Sequence, residues 1–174
     1  MSRILVFAWG NPSRGDDGLG PALAERATAL AASGCHDVRV ETDFQLQPEH
    51  ATDLVGCDVA IFVDAGLDAA DPFAFWRVTP SRDRTFTSHA MSPAAVLAAY
   101  RDAFGAEPPP AYMLAIRGEA FALGTGPSAA ATRRLEAACA FLGRLLTAPD
   151  VDTWPLPPVP IGAGTPVSTA IAAR

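Results

Sequence analysis

A chain of 174 residues is long enough to bury a substantial core and is most simply one domain. With 49% apolar and 18% charged residues it reads as an ordinary globular protein, and a net charge of −6 argues against nucleic acid or an anionic membrane as its main partner. Three cysteines without metal-type spacing argue against a disulfide framework and for a reducing cytoplasm, and the five-residue apolar run behind Arg3 is too short for a signal peptide or membrane span.

Ile4 to Ala8 (ILVFA) is a continuous apolar run, as expected of a central strand covered on both faces. Asn11 to Gly20 (NPSRGDDGLG) then form a strand-to-helix turn before a helix over Pro21 to Ala32, stopped by Gly34. Val38 to Thr42 alternates as a second strand and ends at Asp43. Pro48 opens a short helix, and Val59 to Val63 is a third strand ending at Asp64. Phe73 to Val78 follows after a short polar link and is expected to run antiparallel to the third strand. Ser92 caps a helix from Pro93 to about Phe104. Tyr112 to Ile116 is a fifth strand, followed by a glycine-rich loop and a last helix over Pro127 to Leu146. Strands alternating with helices give an α/β fold, a three-layer α/β/α sandwich with a mostly parallel sheet. Residues 1–147 form the single domain. Residues 148–174 are a Pro/Ala/Gly-rich tail, either docked in part through Trp154 or without order.

In such a sheet the carboxyl ends of the parallel strands share one edge, where ligands bind. Asp16 and Asp17 follow strand one, Asp43 ends strand two, Asp64 ends strand three and Glu119 follows strand five. Each acid alone reads as a turn or cap residue. Together they would repel one another unless a cation, a proton or an arginine intervened. His89 lies in the loop TFTSHAMS and, with acids at the same edge, becomes a candidate metal ligand. His36 and His50 sit in polar surroundings with no matching acids. The chain has no HExxH, no GxSxG and no P-loop lysine.

The run ILVFAWGNPSRGDDGLG, a strand ending in Asp43, then IFVDA and SHAMSP, closely resembles the hydrogenase maturation endopeptidases over Ile4 to about Leu146. That family trims the C-terminal extension from the large-subunit precursor of nickel–iron hydrogenases. The resemblance implies a twisted five-stranded sheet and assigns the metal-binding set to Asp17, Asp64 and His89. It implies no organic cofactor. The nickel belongs to the precursor, which is the expected partner of a monomeric enzyme, and its presence licenses cleavage a few residues beyond the last nickel-ligating cysteine. Attack by a metal-bound water and catalysis with Asp43 or Asp16 as base are the alternatives for cleavage. The family often has Asp-Gly-Gly after strand two, where this chain has Asp43-Phe44-Gln45. A non-catalytic metal-binding chaperone or docking protein would use the same three ligands. A nucleotide-binding domain ranks last, because the first turn lacks GxGxxG spacing and its acids would repel a pyrophosphate.

Overall fold

The apolar runs form the centre of a five-stranded sheet. The computed structural model describes residues 1–32, 34–82, 91–148 and 150–154. Its strands are β1 (Arg3–Trp9), β2 (Asp37–Asp43), β3 (Val59–Gly66), β4 (Phe73–Val78) and β5 (Ala111–Arg117), in the order β2-β1-β3-β5-β4. The helices are α1 (Leu19–Ala31), α2 (Pro93–Phe104) and α3 (Ala129–Thr147).

Alternation along each central strand divides its side chains between two cores. Ile4, Val6 and Ala8 of β1, with Ile61 and Val63 of β3, pack under α1 and α3. Leu5 and Phe7, with Ala60 and Phe62, face the layer made by α2 and a short 3-10 helix over Pro48–Leu54. Burial on both faces is why these strands read as unbroken apolar runs. The result is a three-layer α/β/α sandwich. No helix among the described residues is long and apolar enough to cross a membrane.

β4 runs against the direction of β3, but the two are not neighbours. β5 lies between them, parallel to β3 and antiparallel to β4, with Phe75 opposite Leu114. β5 is buried from Ala111 to Ile116, so it takes the inner position. β4 carries the exposed Arg77 and serves as an edge. Beyond α3, a 3-10 turn (Val151–Thr153) leads to Trp154, which is buried with its ring 5.6 Å from Tyr112. Residues 155–174 of the expected tail lie outside the described residues.

The connections set the position of the site. From β1 the chain moves through α1 to β2 on one side, then returns across β1 to β3 on the other. The carboxyl ends of β1 and β3 therefore flank a topological switch point, where open α/β sheets form their ligand crevices.

Candidate functional site

The turn after β1 holds two neighbouring aspartates with opposite surroundings. It begins at Gly10 (φ 137°), where an added Cβ would lie 2.0 Å from the Asp17 carbonyl oxygen. At Gly15 (φ 57°) a Cβ would lie 2.3 Å from the Ala120 carbonyl oxygen. Only glycine fits either position, which explains two glycines of the motif. Neither Asp16 nor Asp17 caps a helix.

Asp16 points inward and is fully buried. Its Oδ1 accepts the Ser128 N–H (2.7 Å), and its Oδ2 accepts the Glu119 N–H (2.7 Å), the Ala120 N–H (3.0 Å) and the Ser128 hydroxyl (3.1 Å). Burial alone would raise its pKa, but these donors outweigh that and hold it below the usual carboxylate value. Asp16 thus staples the first turn to the loop between β5 and α3. The same Ser128 hydroxyl accepts the Ala131 N–H and caps α3.

Asp17 faces the switch point. One of its carboxylate oxygens accepts the Asn11 N–H (2.9 Å). Asp64, near the end of β3, accepts the N–H of Ala65 (2.7 Å), and the Trp9 indole lies close enough to favour its ionised form. Burial pushes the Asp64 carboxyl well above the usual carboxylate range. The charge of Asp17 pushes it further, against the Ala65 N–H and the Trp9 indole. The two acids are therefore close enough to repel, and among the described residues neither pairs with a basic side chain. A cation would remove both the repulsion and the desolvation penalty of the ionised form.

Glu119 is not part of this pair. Its carboxylate binds Arg134 of α3 at 2.6 Å, and Arg134 also holds Asp71 at 2.8 Å. His89 lies outside the described residues. Among the described residues no group of three or more His, Cys, Asp or Glu is gathered tightly enough to hold a metal. Asp17 and Asp64 influence each other electrostatically without a basic side chain between them, whereas Asp71 and Glu119 share Arg134.

Asp43 stands apart, at the mouth of an open groove lined by Gly10, Pro12, Pro21, Thr42, Asp43 and Phe44. Its backbone carbonyl accepts the Gly10 N–H, which joins the groove to the first turn. The expectation that His50 has no matching acid does not hold: His50 Nε2 lies 3.2 Å from Asp43 Oδ2. The intervening chain doubles back at Pro48, so residues seven apart in sequence meet. A signal was present in the sequence. His50 is the third residue of the 3-10 helix, where a Glu or Gln commonly turns back to the preceding cap in a capping box.

Three apolar side chains stand exposed at this edge among charged neighbours such as Asp43, Asp68 and Glu119. Phe44 after β2, Leu67 after β3 and Leu123 after β5 are all exposed, Leu123 at 76%.

No family model and no curated protein sequence matches the chain. Solved structures do. The [NiFe] hydrogenase maturation protease HycI from Thermococcus kodakarensis aligns with a TM-score of 0.65 and 21% identity, over 83% of this chain and 92% of that one. An endopeptidase from Escherichia coli aligns with a TM-score of 0.61 and 20% identity, over 82% and 92%. The hydrogenase maturating endopeptidase HybD from E. coli gives 0.57 and 22%, over 79% and 88%. At these identities the likeness establishes a shared fold.

Proposed function

We propose that this protein is a hydrogenase maturation endopeptidase that removes the C-terminal extension of a nickel–iron hydrogenase large-subunit precursor after nickel insertion. The observation that carries this reading is the pair Asp17 and Asp64, two mutually repelling carboxylates at the switch point without a basic partner among the described residues. The maturation proteases that share the fold, and the motif order through SHAMSP, indicate which cation-bearing partner fits.

In this reading Asp17, Asp64 and His89 dock on nickel already held by the precursor. Oxygen and imidazole donors suit that ion. The exposed Phe44, Leu67 and Leu123 receive apolar surface of the same precursor. Asp43 is the base. Trp9 of β1 is in register with Asp43, and Ala8 with Val63, which precedes Asp64. Asp43 and Asp64 are therefore two strand spacings apart, about 10 Å. An extended peptide covers that distance in about three residues. A docked nickel centre would thus bring a bond a few residues downstream to Asp43. There the carboxylate takes a proton from the attacking water and returns it to the leaving amine as the C–N bond breaks. Asp16 is a poor base, because its oxygens are engaged by four donors and shut away from the edge.

The test is His89→Ala, assayed on nickel-loaded precursor. Trimming is expected to fall below detection with the melting temperature within about 2 °C of the parent. Unimpaired trimming would reject the assignment. Tight binding of the precursor by the unaltered protein without any shortening would favour the chaperone reading instead.

A further inference from the structure

Asp43 does not stand alone at the groove; a half-buried histidine is hydrogen-bonded to it. We infer that His50 is a positioning residue for the Asp43 carboxylate, an inference that rests on the peptidase reading above. The Gln47 N–H donates to His50 Nδ1 at 2.9 Å, so in the neutral ring Nδ1 is the acceptor and Nε2 carries the proton. That Nε2–H donates to Asp43 Oδ2 at 3.2 Å, while the Phe44 N–H donates to Asp43 Oδ1 at 2.5 Å. The imidazole is itself fixed by packing, with its ring 4.6 Å from that of Phe7 in the sheet.

The burial of the two partners decides which one serves the other. The His50 side chain is 12% exposed and the Asp43 side chain 43%. In a hydrolase triad the carboxylate is buried and orients a working imidazole. Here the imidazole is the less exposed partner and the carboxylate lines the groove, so the order is reversed. His50 directs one carboxylate oxygen and Phe44 the other, and the remaining lone pairs are aimed at whatever enters beside Gly10 and Pro12. This arrangement also accounts for the run Asp43-Phe44-Gln45, which lacks glycines. The loop is tied down at its far end by the capping box of Gln47 and His50 and, just before that box, by the wholly buried Leu46. Orienting residues of this kind are typically worth 10–100-fold in activity.

The experiment compares precursor trimming by His50→Phe, His50→Gln, Asp43→Asn and the double variant Asp43→Asn/His50→Phe. His50→Phe keeps a ring against Phe7 but has no donor. It is expected to lower kcat about tenfold with KM within about twofold. His50→Gln, which restores an N–H donor, is expected to recover most of that loss. Because His50 acts through Asp43, His50→Phe should cost nothing further once Asp43 is Asn. Long-range ¹⁵N spectra of the unaltered protein should show the Nε2–H tautomer of His50, independently of any activity. A full kcat in His50→Phe, or an equal loss added on top of Asp43→Asn, would overturn the role of His50 and leave Asp43 as base intact. Full activity in Asp43→Asn would instead remove the base assignment, and the role of His50 with it.

Discussion

Asp64→Asn and Asp17→Asn are each expected to slow trimming of a nickel-loaded precursor by about 100-fold or more. That corresponds to about 3 kcal/mol, within the range for removing one partner of a desolvated charge pair. Stability should move the other way for Asp64→Asn. Burial, with the Asp17 charge beside it, raises the pKa of Asp64 in the folded protein. A raised folded value means that the folded state binds its proton more tightly than the unfolded chain does. The unaltered protein therefore loses stability as pH rises from the unfolded carboxylate value, about 4, through the raised one. Asparagine has no such loss. The variant should melt higher than the parent at pH 7, and the difference should close as pH falls toward 4. Thermal denaturation across that range, run beside the trimming assay, separates a functional carboxylate from a structural one. A variant that is both less stable and less active would assign Asp64 to the scaffold.

Asp16→Asn is expected to show the opposite pattern. Asp16 accepts from three backbone N–H groups and one hydroxyl inside the protein. An amide can accept on one side only, and its NH₂ would confront donors on the other. Leaving a buried donor without an acceptor costs about 1–3 kcal/mol. A total near 3 kcal/mol lowers the melting temperature of a domain this size by about 6–12 °C. The folded pKa of Asp16 is lowered, so its stabilising effect is complete above the unfolded value, about 4, and is lost as pH falls through the folded one. The gap between parent and variant should therefore be full at pH 7 and shrink in acid. An unchanged melting temperature at pH 7 would contradict the staple.

Adjacent in sequence and identical in type, Asp16 and Asp17 show where reading the chain stops. The three inner strands follow from apolar runs, β2 from its alternation and the helices from periodicity and caps, because those signals are local. Asp64 could be found as the acid that ends a buried strand. What Asp16 does could not, since its partners are main-chain groups of Glu119, Ala120 and Ser128, 103 to 112 positions away, and backbone N–H groups leave no mark in a sequence. The position of β4 was hidden for a similar reason. A short link after β3 permits a hairpin, and only the competition for burial places β5 between them. His50 has Glu49 beside it in sequence, yet its ring pairs with Asp43, which the turn at Pro48 brings to it and which spacing alone does not single out. His89 belongs to the proposed site through the SHAMSP motif and lies outside the described residues.

The most direct measurement is the mass of a hydrogenase large-subunit precursor after incubation with this protein, once with nickel inserted and once without. If Asp17, Asp64 and His89 grip nickel carried by the precursor, only the loaded form will lose its C-terminal extension. Shortening of the nickel-free precursor at the same rate, or persistence of the loaded one at full mass, would contradict the account.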